Sequence, residues 1–301
     1  MKSRRALSTA PVILATIAAL ALSACSSGAP GRNSTGQLTV VASFYPLQFA
    51  AEQIGGDHVA VTSLTRPGAE PHDIELTTHD VATVSMAGLV IYEKGLQGAV
   101  DKAAESQAGD RSLNVAPAAG LNLKLASGAT DPHFWLDPQR YSHVANVIAA
   151  RLSSADPANT ADYENNARAF VDKLDALSKE FTRGLASCRR RDLVTSHAAF
   201  GYLAQRFGML QVAINGLSPE QEPNATEIAA VSTYAKAHGV TTVYAETLAS
   251  PAIAATVARE AGARVATLDP IEGLTKQSNG KDYFEIMRSN LKALRAGQGC
   301  S

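Results

Sequence analysis

The sequence lacks several features that would assign a functional class at once. Basic residues are not in excess: 27 Lys and Arg stand against 28 Asp and Glu, and the balance is 24 against 28 without the three basic residues at the start. No basic stripe is present, which argues against nucleic acid as a partner. The chain also lacks a compact HxxxH-type metal motif, a short-period repeat and a Ser-His or Glu-based catalytic constellation. The 277 residues from Cys25 onward are still enough for two modest domains or one large one.

Long apolar runs are scarce as well. The longest, from about Pro11 to Leu22, follows a basic start and is shorter than the roughly 18–20 residues that span a bilayer. We therefore predict a signal peptide over residues 1–24. The run ends in Leu22-Ser23-Ala24-Cys25, which resembles the lipobox of bacterial lipoproteins and predicts lipidation of Cys25. The alternative is cleavage at an ordinary small-residue site, with Cys25 an incidental thiol.

A segment with few apolar side chains follows Cys25. Residues 25–36 are rich in Ser, Gly and Pro and are predicted to form a flexible tether. Together these features predict an exported protein, lipid-anchored on the outer face of the bacterial cytoplasmic membrane.

Cysteine is also scarce, since only Cys188 and Cys300 remain beyond Cys25. An exported protein meets oxidising conditions, so an even remainder favours one disulfide between them. The alternative is a pair of buried thiols.

Short apolar runs alternate with helical stretches from residue 37 onward, as expected for parallel sheets with crossover helices. Four predicted strands precede the longest helical pattern, which covers about residues 159–187, and four follow it. That pattern has no proline and is too long for a crossover within one sheet. We predict an α/β fold of two lobes, each with a mainly parallel sheet flanked by helices, joined by one long rigid helix. The predicted limits are 37–155, 156–187 and 188–301.

Polar side chains at the carboxyl ends of the predicted strands are the candidate site, because open parallel sheets bind ligands there. Three histidines and one aspartate lie at such ends, two in each lobe, and the cleft between the lobes could gather them. They form a possible shell for a divalent metal: His72, His133, His197 and Asp269. Dispersed ligands of this kind leave the alternative of ordinary loop histidines open, and His58, His79, His143 and His238 are assigned to that class.

A family resemblance supports the metal hypothesis. "RPGAEPHDIELTTHDVATVSMAGLVIY", "DPHFWLDP", "SHAAFGYLAQRFG", "GLSPEQEPNATEI" and "TLDP" resemble ordered segments of the metal-binding lipoproteins of bacterial ABC importers, over about residues 38–295. The resemblance implies coordination by His72, His133, His197 and Asp269. It also implies a monomeric receptor that delivers its metal to a membrane permease and, through it, an ATPase.

Three imidazoles and one carboxylate favour Zn²⁺ as the transported ligand, while a manganese or iron receptor of the same family is the alternative. Glu246 is a rival carboxylate, interpreted as a supporting residue and not a ligand. A zinc-dependent hydrolase is the less favoured alternative, because four protein ligands leave no open coordination position. The protein is therefore predicted not to be an enzyme. No host-binding motif supports a third possibility, an adhesin.

Overall fold

The computed structural model describes residues 31–125, 127–219 and 222–301. The predicted signal peptide, Cys25 and the first part of the predicted tether lie outside these residues. The rest of that tether contacts the first lobe, because Arg32 Nη2 donates to Asp156 Oδ1 at 2.7 Å. Within the described ranges, no helix is both long enough and apolar enough to cross a membrane.

Eight strands of the described chain form two four-stranded parallel sheets, one in each half. The first sheet has the order β2-β1-β3-β4 and consists of β1 (Leu38–Ala42), β2 (Val59–Ser63), β3 (Leu89–Tyr92) and β4 (Ser112–Asn114). Its helices are α1 (Tyr45–Gly55), α2 (Thr78–Met86), α3 (Gly98–Ala103), α4 (Ala116–Ala119) and α5 (Pro138–Ala155). Short 3₁₀ turns at Gly56–His58, Gly109–Arg111, Phe134–Leu136 and Pro157–Asn159 and a π turn at Ala104–Ala108 complete this half.

The long helix α6 covers Thr160–Leu185 and leads into the second half. Its sheet has the order β6-β5-β7-β8, formed by β5 (Asp192–Thr195), β6 (Leu210–Ala213), β7 (Thr242–Ala245) and β8 (Arg264–Thr267). The accompanying helices are α7 (Gly201–Phe207), α8 (Ala225–Ala237), α9 (Ala252–Ala261) and α10 (Tyr283–Gln298). The predicted α/β fold of two parallel-sheet lobes with a connecting helix is confirmed.

One hydrophobic core runs through both lobes. Helix α6 buries apolar residues at spacings of three or four, including Phe170, Leu174, Leu177 and Phe181, and spans about 39 Å. These side chains belong to a single buried cluster that also contains Leu38 from β1 and residues of β5 and α10. The outer face of each sheet has a smaller core of its own. The two lobes are therefore joined by packing as well as by chain.

Local sequence signals determine where the helices begin. Asp137 caps α5 by accepting from the Gln139 N–H, and Pro138 stands in the first turn, where its missing N–H costs nothing. Asn224 and Glu227 form a capping box at the start of α8.

The predicted disulfide between Cys188 and Cys300 is present and closes a sequence separation of 112 residues. It joins the chain just before β5 to the end of α10, at the amino ends of the second sheet and away from the strand ends that carry the predicted ligands.

Candidate metal centre

The first histidine lies on the loop between β2 and α2. His72 donates its backbone N–H to Glu70 Oε1 at 2.8 Å, and its side chain is almost fully buried. Its ring Nε2 faces the cleft, whereas Nδ1 is buried without a hydrogen-bond partner among the described residues. The loop therefore orients His72 through its backbone and gives the ring Nδ1 no hydrogen-bond acceptor.

The second histidine follows the proline of "DPHFWLDP". Pro132 has a fixed φ and restricts Asp131 to extended conformations, which stiffens the chain before His133. Asp131 Oδ1 accepts from both the backbone N–H of His133, at 3.0 Å, and its ring Nδ1, at 2.8 Å. With Nδ1 held as a donor, Nε2 is left as the ring nitrogen available to a metal.

The third histidine stands two residues beyond β5. His197 is fully buried, and both oxygens of Glu246 support it: Oε1 accepts from its backbone N–H at 2.9 Å, and Oε2 accepts from its ring Nδ1. Glu246, at the end of β7, thus orients His197 in the manner of a supporting residue.

The fourth group of the cluster is Glu272, which is fully buried in the turn after β8. Its Oε1 lies 3.3 Å from His72 Nε2 and 3.2 Å from the Nε2 atoms of both His133 and His197. The Nε2 atoms of His72 and His133 are 3.3 Å apart. A tetrahedral Zn²⁺ with ligands at ~2.0–2.1 Å separates its donors by ~3.3–3.4 Å, so these spacings match zinc coordination.

Burial and mutual charge decide the protonation of the cluster. Burial lowers the pKa of His72, an effect that the Glu272 carboxylate only partly opposes. Burial also acts to lower the pKa of His133 and His197, but their carboxylate partners outweigh it and raise both, that of His197 strongly. Burial alone would raise the pKa of Glu272, yet the three imidazoles hold it well below its usual range. A metal binds these imidazoles only in their neutral form, so protons compete with it and its affinity is expected to fall at acid pH.

Glu70 is a further carboxylate beside the cluster, with Oε1 4.0 Å from His72 Nε2. Burial, and then the charge of Glu272, raise its pKa to about 8. Glu70 lies outside the cluster that the three histidines form with Glu272.

The structure brings together three of the four residues predicted from the sequence, His72, His133 and His197, and does not bring in Asp269. Asp269 Oδ1 accepts from the backbone N–H of Ile271 at 2.8 Å and so closes the turn, while Oδ2 is buried without a hydrogen-bond partner among the described residues. The carboxylate that clusters with the three histidines is that of Glu272, which the sequence analysis did not single out, and not that of the predicted Asp269. The Asp-Pro pair is typical of a turn, but nothing in the pattern Asp-Pro-Ile-Glu-Gly itself marks Glu272 as a ligand.

Contacts between the lobes fix the His133 segment to the second lobe. Trp135 Nε1 donates to the carbonyl of Pro270 at 2.7 Å, and Tyr283 donates its hydroxyl to the carbonyl of Trp135 at 2.6 Å. Tyr202 on α7 donates its hydroxyl to the carbonyl of Asp131 at 3.0 Å, and Arg206 pairs with both oxygens of Asp137. His133 is thus held relative to His197 and Glu272 by several independent hydrogen bonds.

The fold has two parallel-sheet lobes around a shared core, and three imidazoles and a carboxylate converge between the lobes. These features define a class of two-lobed metal-binding protein. The family described as "ZnuA: Zinc-uptake complex component A periplasmic" matches residues 40–297, and the chain belongs to this family.

Similar proteins include the zinc-binding lipoprotein AdcA of Streptococcus pneumoniae, 35% identical over 303 residues, which cover 94% of this chain and 60% of that relative. The high-affinity zinc uptake system protein ZnuA of Bacillus subtilis is 36% identical over 86% of this chain and 87% of its own length. The solved structure of Zn(II)-bound AdcA from Streptococcus pneumoniae superposes with a TM-score of 0.77 at 34% identity, covering 87% of this chain and 58% of that one. The chain thus spans about 60% of the length of the streptococcal relative.

Proposed function

We propose that this chain is an extracytoplasmic receptor that binds Zn²⁺ between its lobes and delivers it to the permease of an ABC importer, which an ATPase drives. The proposed ligands are His72, His133 and His197 with Glu272 as the fourth. Family membership and the zinc-related names of similar proteins support this function.

The observation that carries the proposal is the convergence of three Nε2 atoms on Glu272 Oε1 at 3.2–3.3 Å. Imidazole nitrogens with a single carboxylate suit zinc, whereas manganese prefers a shell richer in oxygen. A manganese or iron receptor of the same family is the alternative that the titration below separates.

A receptor is favoured over a zinc hydrolase because four buried protein ligands would fill a tetrahedral shell and leave no position for a reactive water. We further propose that the chain works as a monomer, that lipidated Cys25 anchors it outside the cytoplasmic membrane, and that its units are 37–155, 156–187 and 188–301. The lipoprotein name of a relative and the Leu-Ser-Ala-Cys sequence support the anchor.

Titration of metal-free protein with Zn²⁺ and with Mn²⁺ tests the proposal. Trp135 is the single tryptophan, and its ring centroid lies 5.2 Å from that of His133, so its fluorescence should report binding. We expect one zinc per chain, tighter than manganese, and a loss of more than about 100-fold in zinc affinity for His197→Ala.

The matched control is His143→Ala, which removes an exposed histidine of α5 and should leave zinc binding unchanged. Unaltered affinity in His197→Ala would refute the ligand set. Tighter manganese binding by the wild type would overturn the choice of metal, and turnover of ester or peptide substrates by the zinc-loaded protein would contradict the assignment as a receptor.

A further inference from the structure

Asp269 is tied to the fold at its backbone as well as at its carboxylate. Asn290 of α10 accepts from the Asp269 N–H at 2.9 Å and donates to its carbonyl at 2.7 Å. Asp269 Oδ1 accepts from the Ile271 N–H at 2.8 Å. Both residues are 2% exposed, so these bonds are shielded from water and fix the start of the turn.

Ile271, in the middle of this turn, has an unusual backbone conformation. Its φ is 59°, and it is the only non-glycine residue with positive φ in the described ranges. A β-branched side chain is strained in the left-handed region, and such a conformation persists only where the surroundings hold it. The flanking contacts do so: the Asp269 carboxylate binds the Ile271 N–H, and Trp135 Nε1 binds the preceding carbonyl at 2.7 Å.

The turn has a direct consequence for the metal centre. An extended chain advances ~3.3 Å per residue, so without a reversal Glu272 would lie ~10 Å beyond Asp269. With the reversal, Glu272 Oε1 reaches 3.2 Å from the Nε2 atoms of His133 and His197. Trp135 lies two residues after His133, and its bond to Pro270 links the two ligand-bearing segments.

We propose that Asp269 is a positioning residue of the metal centre: its carboxylate holds Ile271 in the left-handed conformation and so places Glu272 against the three histidines. The inference rests on the proposed function, because it assigns a role in metal binding. If Asp269 were a ligand, the neutral isostere asparagine would weaken metal binding, whereas a residue that only positions Ile271 can be replaced by asparagine. If its role is to hold positive φ at position 271, glycine at that position should make Asp269 dispensable.

The experiment measures zinc affinity and the visible absorption spectrum of the Co²⁺-loaded protein in five proteins: wild type, Glu272→Gln, Asp269→Asn, Asp269→Ala, and Asp269→Ala combined with Ile271→Gly. Glu272→Gln should weaken zinc by more than about 100-fold and alter the cobalt spectrum, because a ligand changes. Asp269→Asn keeps an oxygen that accepts from Ile271 and should stay within about threefold of wild type.

Asp269→Ala should weaken zinc by about 10–100-fold while keeping one metal per chain. Adding Ile271→Gly should recover most of that loss, because glycine adopts positive φ without strain. An Asp269→Asn affinity as low as that of Glu272→Gln would make Asp269 a ligand and overturn the inference. So would wild-type affinity in Asp269→Ala, or a double variant no better than Asp269→Ala. Failure of the wild type itself to bind zinc or cobalt would overturn the proposed function, and this inference with it.

Discussion

The two lobes are built on the same strand order and nearly the same register, yet they support the metal centre differently. In the first sheet Ala42 pairs with Ile91, and in the second Thr195 pairs with Tyr244. The next residue in each lobe, Ser43 or Ser196, donates its backbone N–H to the carbonyl of Ile91 or Tyr244, both at 3.0 Å. The carboxyl ends of the two sheets can therefore be compared residue by residue.

Two residues beyond these paired positions, the lobes diverge. The second lobe carries His197 and Glu246, which are hydrogen-bonded to each other. At the equivalent places the first lobe carries Phe44 and Glu93, and both carboxylate oxygens of Glu93 are buried without a hydrogen-bond partner in the described chain. The same backbone thus supports a paired histidine–glutamate unit in one lobe and an unpaired carboxyl group in the other. The proposed ligands of the first lobe come from loops, and those of the second come from a strand end and a tight turn.

The lobes also differ in covalent cross-linking, because the described part of the first lobe has no disulfide and the second has Cys188–Cys300. Replacing both cysteines with serine should lower the free energy of unfolding by up to about 4–5 kcal/mol, since the loop of 112 residues is no longer closed in the unfolded chain. Urea unfolding of metal-free protein measures this.

Wild type with reductant should match the double-serine variant, which should itself not respond to reductant. Zinc affinity should change less than about threefold, because the bridge lies at the amino ends of the second sheet, remote from the site. A loss of stability below about 1 kcal/mol would contradict this prediction, because it would mean that the bridge restricts the unfolded chain very little.

The unpaired carboxyl group of the first lobe should make stability depend on pH. Burial, then the charges of Asp131 and Asp101, raise the pKa of Glu93 well above its usual value. Between the unfolded-state pKa near ~4.3 and this raised value, the folded protein binds a proton that the unfolded chain does not. The free energy of unfolding therefore falls as pH rises through this range, by up to about 1.4 kcal/mol per pH unit.

Glu93→Gln removes this dependence and should be more stable than wild type at pH 7–8, with the difference shrinking toward pH 4.5. Urea unfolding of both metal-free proteins across this range gives the difference in their free energies of unfolding. The histidines are the same in both proteins, so their titration cancels in this difference. The matched control is Glu260→Gln, an exposed change on α9 that should show no such trend. A constant difference between Glu93→Gln and wild type would show that Glu93 is ionised in the folded protein.

Much of this arrangement was predictable from the sequence, because the strands, the long helix and the disulfide depend on local periodicity and on cysteine count. The three histidines were predictable for a similar reason: each follows a strand end, directly or through a loop. Glu272 was not, since its position depends on Asp269, Ile271 and Trp135 acting together across the lobes. A strained conformation at an isoleucine has no local sequence signal, and the nearer carboxylate at the strand end was the natural choice.

The smallest expected effects are changes in zinc affinity when the carboxylates that hydrogen-bond the individual histidines are replaced by amides. Glu246 uses both oxygens, one for the backbone N–H of His197 and one for its ring, so the amide of Glu246→Gln must turn its NH₂ toward one of two donors. Asp131 uses one oxygen for both donors of His133, so Asp131→Asn keeps that acceptor and loses only the charge. We therefore expect zinc affinity to fall about 10–100-fold in Glu246→Gln and only severalfold in Asp131→Asn.

Glu70→Gln is the matched control for these two changes, because Glu70 accepts from the backbone of His72 and gives its ring no hydrogen bond. It should change zinc affinity less than about threefold. Fluorescence titration of Trp135 measures all three variants at one pH. Equal losses of zinc affinity in all three variants would mean that the electrostatic field of the site, and not hydrogen bonding to each imidazole, sets the affinity. The contrast between His72 and the two histidines with a carboxylate partner at Nδ1, His133 and His197, would then no longer hold.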